Sequence, residues 1–83
     1  MDNIGQSKKV EIYTSPTCHF CHAAKDFLDD NSVAYEEYDV LTNVDKRQEM
    51  IEKSGQMGVP VIVIDNEVMV GFDEEHMKKL LGI

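Results

Sequence analysis

The stretch VEIYTSPTCHFCHAAKDFL, residues 10–28, contains both cysteines of the chain, Cys18 and Cys21, and two different hydrophobic periods. Val10 and Ile12 alternate with less apolar neighbours, which predicts a β-strand. Pro16 ends that strand, because proline cannot continue a ladder of backbone hydrogen bonds. Apolar side chains then recur at helical spacing and predict a first helix from residue 20 onward. The cysteines therefore stand where the first strand passes into the first helix.

The rest of the chain predicts three more strands and two more helices, in the order β-α-β-α-β-β-α. The first β-α-β unit is expected to be a right-handed crossover between parallel strands. The fold class is therefore α/β, with one four-stranded mixed sheet and helices on both faces. The expected elements are a second strand over residues 33–40, a second helix opened by a Thr42–Asp45 capping box and ended at Gly55, a buried strand in VPVIVI (59–64), a turn at Asp65–Asn66 into EVMV (67–70), and a last helix capped by Asp73.

Length and charge narrow the classes of function before any motif is considered. A chain of 83 residues predicts one domain, spanning residues 1–83. Its formal charge of −8 comes from 16 acidic and 8 basic side chains, so nucleic acid and anionic membranes are not expected partners. No apolar run is long enough to span a bilayer, and residues 1–10 contain no signal-peptide core. We expect a cytoplasmic monomer, in a compartment where thiols are kept reduced.

The spacing of the two cysteines favours a redox couple over a structural link. A disulfide that closes so short a loop stabilises a fold by only about 2 kcal/mol. At the start of a helix, by contrast, unpaired N–H groups and the helix dipole favour negative charge on Cys18. Such sites lower a thiol pKa from about 8.5 to roughly 3.5–7.5, so Cys18 is predicted to be the nucleophilic thiolate. Cys21 lies one turn deeper and is predicted to resolve the mixed disulfide formed on Cys18.

Haem and metal sites are less well supported by the same residues. CHFCH matches the haem attachment motif C-x-x-C-H, but we see no export signal for the compartment in which that attachment takes place. Zinc takes four ligands, and beyond the two cysteines only His19, His22 and the distant His76 are available. We therefore predict no metal site and no tightly bound cofactor.

Three motifs together resemble the glutaredoxin family over nearly the whole chain, from about Lys9 to Leu81. They are VEIYTSPTCHFCHAAKDFL (10–28), GVPVIVID (58–65) and VMVGFDEEHMKKLL (68–81). The resemblance implies a thioredoxin-like fold and a dithiol oxidoreductase that reduces protein disulfides or glutathione mixed disulfides. It also implies that Pro60 is cis and that Val59 offers backbone groups to a bound peptide or tripeptide. The implied binding groove comprises Phe20, Val59, Pro60, Gly71, Phe72, Asp73 and Glu74.

Several positions depart from the pattern of that family. The insert between the cysteines is His19–Phe20 in place of the commoner Pro-Tyr, and the His19 imidazole is a candidate for tuning the pKa of Cys18. Ser15 stands where a lysine usually precedes the CxxC motif, and Gln56 stands where a basic residue often precedes Val-Pro. We therefore expect a groove that keeps its backbone contacts but loses cationic ones, and poor turnover with glutathione.

Three functions fit these residues. The first is a glutathione-coupled dithiol oxidoreductase, with glutathione as co-substrate. The second is an electron donor reduced by a thioredoxin reductase, similar to the small electron donors of ribonucleotide reductase, which share the Gly-Phe pair found at Gly71–Phe72. The third is a non-enzymatic module that binds a peptide or an iron–sulfur cluster. We expect redox catalysis on disulfide-containing proteins, and either glutathione or a thioredoxin reductase as the source of electrons.

Overall fold

The computed structural model describes residues 9–83, and its elements follow the predicted order. This confirms the α/β class with a four-stranded mixed sheet and three helices. The prediction about a signal peptide falls largely on residues 1–8, which lie outside the described part. The elements are β1 (Val10–Thr14), α1 (His19–Asp30), β2 (Glu36–Asp39), α2 (Val44–Ser54), β3 (Val61–Ile64), β4 (Glu67–Val70) and α3 (Glu74–Leu81).

The sheet has the strand order β2-β1-β3-β4, with β1 and β2 parallel and the other pairs antiparallel. Its register fixes which loops meet. Thr14 lies opposite Asp39, Tyr13 lies opposite Val61, and Val61 in turn lies opposite Val70. The end of β1, the end of β2, the start of β3 and the end of β4 therefore share one end of the sheet. All three helices also begin at that end, because α1, α2 and α3 follow β1, β2 and β4.

Helices cover both faces of the sheet because successive side chains of a strand point to opposite faces. From β1, Ile12 packs with side chains of α1 and α3, whereas Tyr13 packs with Met50 of α2. The side chains on the two faces form two buried clusters. The buried members of the first cluster are Val10, Ile12, Ala24, Leu28, Ile62, Ile64, Met69 and Met77, and those of the second are Tyr13, Val40, Met50, Val61 and Val63.

Within residues 9–83, no helix combines the length and the apolar composition needed to cross a membrane.

β2 is shorter than the strand predicted over residues 33–40. Ser32 has a left-handed backbone (φ 57°), and the N–H of Val33 donates to Leu28 O at 2.9 Å. These contacts assign the start of the predicted strand to the turn that leaves α1. Only residues 36–39 lie opposite β1, where Glu36 pairs with Glu11.

The predicted cap of α2 is wrong by one residue, and α1 begins at His19, one residue before the predicted start, whereas the predicted Gly55 end of α2 and Asp73 cap of α3 are confirmed. Asn43, and not Thr42, caps α2, with its Oδ1 accepting from the N–H of Lys46 at 3.1 Å. Asparagine is the stronger N-cap residue, so it takes this position when the two are adjacent. Gly55 ends α2 in the left-handed conformation (φ 74°), and Asp73 caps α3 as predicted.

Candidate active site

Cys18 is the N-cap residue of α1, and its sulfur takes the place that a side-chain oxygen usually occupies. Its backbone is extended (φ −83°, ψ 113°), and its Sγ accepts from the N–H of Cys21 at 3.2 Å. The N–H of Cys18 donates to Ser15 O at 3.2 Å, which closes the turn between β1 and α1. Cys18 and Cys21 are joined by a disulfide, with their Cα atoms 5.2 Å apart. Cys21 is fully buried and Cys18 is partly exposed.

The charge around this helix start favours an anion on Cys18. The first turn of α1 contains no acidic residue, whereas the first turn of α2 contains Asp45 and that of α3 contains Glu74 and Glu75. No carboxylate within the first turn of α1 therefore neutralises the partial positive charge of its N-terminus. A thiolate on Cys18 would be stabilised by the helix dipole and by a hydrogen bond from the Cys21 N–H, the arrangement that lowers a thiol pKa.

The two residues between the cysteines lie on the surface. Phe20 is 63% exposed, so it faces solvent beside the cysteine pair and not the core stripe of α1. The ring of His19 is also exposed and lies edge-on to Phe20, with 6.2 Å between the ring centroids. His22, just after the pair, contacts the preceding loop through Nε2, which donates to Pro16 O at 3.3 Å. The rings of His19 and Phe20 are thus accessible to solvent beside the cysteine pair.

The loop before β3 lies at the same end of the sheet as the cysteine pair. The Val59–Pro60 peptide bond is cis, which confirms that prediction. Pro60 is buried, and its carbonyl accepts from the N–H of Gly71 at 2.8 Å, which joins this loop to the end of β4. Val59 is half-buried, and within residues 9–83 its N–H and C=O have no hydrogen-bond partner. These two groups are free to pair with an extended backbone.

The residues predicted to line the groove near α3 differ in what they contact. Gly71 adopts a left-handed conformation (φ 82°), which glycine accepts without strain, and turns the chain out of β4. Phe72 packs against Phe27 of α1, with 5.8 Å between ring centroids, so its ring serves the core more than the groove. Asp73 and Glu74 are exposed at the start of α3, where the Oδ1 of Asp73 accepts from the N–H of His76 at 3.2 Å.

Sequence reasoning missed a polar chain beneath the cysteine loop. Thr14 is buried on the core side of β1, and its hydroxyl donates to Glu37 Oε2 at 2.9 Å. Lys25 of α1 donates to the same oxygen at 2.8 Å, and this hydrogen bond is the main cause of the lowered pKa of Glu37. The sequence did mark Thr14, because it places a polar side chain at the next inward-facing position of β1 after Val10 and Ile12. Its partner, 23 positions away, had no local signature.

Gln56 was predicted as the place of a missing cation, but the structure shows its side chain folded onto its own loop. Its carboxamide contacts both backbone groups of Gly58, two residues later. The three histidines do not converge with the cysteines, and no three His, Cys, Asp or Glu side chains in residues 9–83 form a group that could hold a metal ion.

Comparisons with known proteins agree with this geometry. The glutaredoxin family model matches residues 10–69. Glutaredoxin 3 of Escherichia coli K12 is 45% identical over 65 residues, which cover 78% of each chain. The crystal structure of the thioredoxin-like protein BC3987 superposes with a TM-score of 0.82 at 40% identity, covering 87% of this chain and 99% of that one. The glutaredoxin-like NrdH-redoxin of Escherichia coli, whose activity profile is described as thioredoxin-like, gives a TM-score of 0.75 at 25% identity over 87% and 93% of the two chains. The fold is therefore thioredoxin-like.

Proposed function

The chain belongs to the glutaredoxin family and is a thiol–disulfide oxidoreductase, and from this premise we propose the role of each cysteine, the substrate contacts and the source of electrons. In this proposal Cys18 is the nucleophile and Cys21 is the resolving thiol. The single observation that supports it best is the sulfur cap of α1, in which Cys18 Sγ accepts the Cys21 N–H at a helix start without acidic neighbours.

The exchange proceeds in two steps that balance in atoms and electrons. The Cys18 thiolate attacks one sulfur of the substrate disulfide, forms a mixed disulfide, and releases the other substrate sulfur as a thiolate that takes up a proton. Cys21 then loses its proton and attacks Cys18 Sγ, which releases the second substrate thiol and leaves the Cys18–Cys21 disulfide. The substrate gains two electrons and two protons. Both electrons come from the protein; one proton comes from Cys21, and the other comes from solvent, which received it when Cys18 ionised. No tightly bound cofactor is needed, because electrons pass directly between sulfurs.

Val59 supplies the main backbone contact for the substrate in this proposal. Its unpaired N–H and C=O lie at the sheet end that also holds the cysteine pair. An extended substrate segment next to its own disulfide can pair with both groups, as an added strand does at a sheet edge. Phe20, exposed next to the cysteine pair, would provide an apolar contact. We assign Gly71, Asp73 and Glu74 to the rim of this groove.

A thioredoxin reductase is the proposed source of electrons, with glutathione as a weaker alternative. Ser15 offers no positive charge, and the Gln56 carboxamide is engaged with Gly58. Charge-assisted hydrogen bonds are worth about 1.5–3 kcal/mol each, so their loss weakens the binding of a glutathione carboxylate by roughly tenfold or more. The thioredoxin-like activity described for the structurally similar NrdH-redoxin supports the same choice. We further propose that the protein works as a cytoplasmic monomer and a single domain.

Trapping tests the cysteine roles. Cys21→Ser retains the nucleophile and lacks the resolving sulfur, so it should accumulate a stable mixed disulfide with a disulfide-containing peptide, detected by mass spectrometry at Cys18. The matched variant Cys18→Ser should form no such adduct. An adduct on Cys21 of the Cys18→Ser protein, with turnover retained, would reverse the assignment.

Two coupled assays at one ionic strength test the source of electrons. The unmodified protein should be reduced faster by thioredoxin reductase with NADPH than by glutathione with glutathione reductase. Ser15→Lys should raise the glutathione rate and leave the thioredoxin reductase rate nearly unchanged. Efficient glutathione turnover by the unmodified protein, with no gain from Ser15→Lys, would show that backbone contacts suffice.

A further inference from the structure

The side chain of Gln56 forms a closed hydrogen-bond pair with a single residue of the loop before β3. Its Oε1 accepts from the N–H of Gly58 at 2.6 Å, and its Nε2 donates to Gly58 O at 3.0 Å. One carboxamide thus satisfies both backbone groups of Gly58, much as a neighbouring strand would. We call this pair of contacts the Gln56–Gly58 bracket.

The bracket is joined to the last turn of α2. The Ser54 hydroxyl donates to Met50 O at 2.7 Å, and its oxygen accepts from the N–H of Gln56 at 3.3 Å. Gln56 Nε2 also lies 3.4 Å from the same hydroxyl oxygen. Gly58 is therefore connected through Gln56 to a helix whose Met50 is fully buried in the core.

The bracket depends on a glycine at position 58 because of close approach and not because of backbone angles. Its φ is not in the left-handed region, unlike that of Gly55 and Gly71. A Cβ atom at Gly58 would lie 2.8 Å from Gln56 Oε1, which is closer than real Cβ contacts. The missing side chain leaves room for the bracket to form.

The residue after the bracket is Val59, whose N–H and C=O are unpaired in the described part of the chain. On its other side, the carbonyl of Pro60 is held by Gly71 N at 2.8 Å. Val59 therefore lies between two fixed points, the bracket at Gly58 and the hydrogen bond at Pro60. The Val59 side chain also packs against the second cluster. Without the bracket, the backbone on the N-terminal side of Val59 would lose its hydrogen-bonded anchor.

We propose that Gln56 is a positioning residue that fixes the backbone of Val59 through Gly58 and so favours disulfides carried on a peptide over small disulfides without amides. This inference rests on the proposed pairing of substrate with Val59. A pre-positioned backbone loses less conformational entropy on binding, so the gain appears in substrate affinity. The sulfur chemistry at Cys18 is not touched by the bracket and should not depend on it.

Single-turnover reduction with two probes tests the proposal without any reductase. The reduced protein is mixed with excess disulfide, quenched with acid at set times, and analysed by chromatography. One probe is an uncharged synthetic peptide with an internal disulfide, and the other is bis(2-hydroxyethyl) disulfide, which has no amide. Gln56→Ala should raise the half-saturating peptide concentration about fivefold, in keeping with a lost hydrogen-bonded constraint, with a limiting rate within twofold. Its rate with the small disulfide should also stay within twofold.

Two further variants control for effects on folding. Gln48→Ala makes the same change at an exposed position on α2 and should alter neither probe. Gln56→Glu keeps the acceptor for Gly58 N and loses the donor, so it should give an intermediate effect, and it carries the test if Gln56→Ala does not fold.

A double-mutant cycle then separates the bracket from a general loosening of the loop. Gly58→Ala should weaken peptide reduction in the unmodified protein but have little further effect in Gln56→Ala, because no Oε1 remains for the new methyl group to meet. Unchanged peptide kinetics in Gln56→Ala, an equal loss with both probes, or additive effects of the two substitutions would each overturn the inference. Failure of the unmodified protein to reduce either probe would instead overturn the proposed function.

Discussion

The N-termini of α1 and α3 share one hydrogen-bond geometry but differ in the capping atom and in charge. In both, the cap accepts from the N–H three residues later: Cys18 Sγ from Cys21, and Asp73 Oδ1 from His76, each at 3.2 Å. The first turn of α3 also contains two acidic residues, whereas that of α1 contains none. A carboxylate thus complements the dipole of α3, whereas within the cap and first turn of α1 only the sulfur can do so. The same geometry gives a stable helix start at α3 and, in the proposed function, a reactive thiol at α1.

Cys18→Ser has the largest expected effect, because it removes the nucleophile while a hydroxyl oxygen keeps the cap of α1. Disulfide reduction should fall at least roughly 10³-fold, since no other group takes over nucleophilic attack. The free energy of unfolding of the reduced protein, measured in urea, should not decrease by more than about 0.5 kcal/mol. Cys18→Ala should lose activity equally and also lose about 0.5–2 kcal/mol of stability. Equal stability of the two variants would contradict the capping role of position 18.

Removal of the α3 cap should affect stability and leave the thiol unchanged. Asp73→Ala should lower the free energy of unfolding by about 1 kcal/mol, because the His76 N–H loses its partner. Asp73→Asn keeps a capping oxygen and should lower the free energy of unfolding by only a few tenths of a kcal/mol. Urea titration of both variants beside the unmodified protein provides the comparison. A large shift in the reactivity of Cys18 in either variant would show that the two helix starts are coupled.

α2 gives an intermediate case, because its cap is a neutral amide. Asn43→Ala should cost about 1 kcal/mol of stability, whereas Thr42→Ala, at the neighbouring exposed position, should change stability by less than about 0.5 kcal/mol. Thermal unfolding of both variants would measure this difference. A greater loss of stability from Thr42→Ala than from Asn43→Ala would show that Thr42 is the cap, as predicted from the sequence.

An acid placed in the first turn of α1 should make it resemble α3 and gives the smallest expected effect. His19→Glu should raise the pKa of the Cys18 thiol by about 0.2–0.7 units, corresponding to roughly 0.3–1 kcal/mol of dipole neutralisation and repulsion. His19→Gln changes the same side chain without adding a negative charge and serves as the control. The rate of iodoacetamide alkylation against pH, read at Cys18 by mass spectrometry, measures the pKa in each variant. Identical profiles for the Glu and Gln variants would contradict the role of first-turn charge.

The sequence predicted well those features that depend on local periodicity. The change from alternation in β1 to helical spacing in α1 placed the cysteines at a helix start, and the structure agrees. Asp73 and Gly55 were identified correctly because each has a strong local preference for its position. At Thr42–Asn43 two capping residues are adjacent, and local preference alone did not separate them.

Features that depend on contacts across the fold were not predicted. The hydroxyl of Thr14 finds Glu37 only once β1 and β2 pair, and the Lys25 side chain joins them from α1. Gln56 was compared with a basic residue of the family, a comparison that cannot show where its side chain turns. The short distance to Gly58 arises from the path of the loop between α2 and β3. The residue type at position 56 therefore revealed less about the role of Gln56 than the atoms that surround its side chain in the fold.

The burial of Cys21 beneath a partly exposed Cys18 also determines how the protein responds to oxidants. A peroxide reaches the outer sulfur first and converts it to a sulfenic acid. The inner thiol, 5.2 Å away between Cα atoms, can condense with that acid and release water, which restores an ordinary disulfide. Irreversible oxidation to sulfinic acid must compete with this intramolecular reaction. The same pair of cysteines thus limits oxidative damage, because the sulfenic acid is converted to the disulfide that the proposed reductant already reduces in each catalytic cycle.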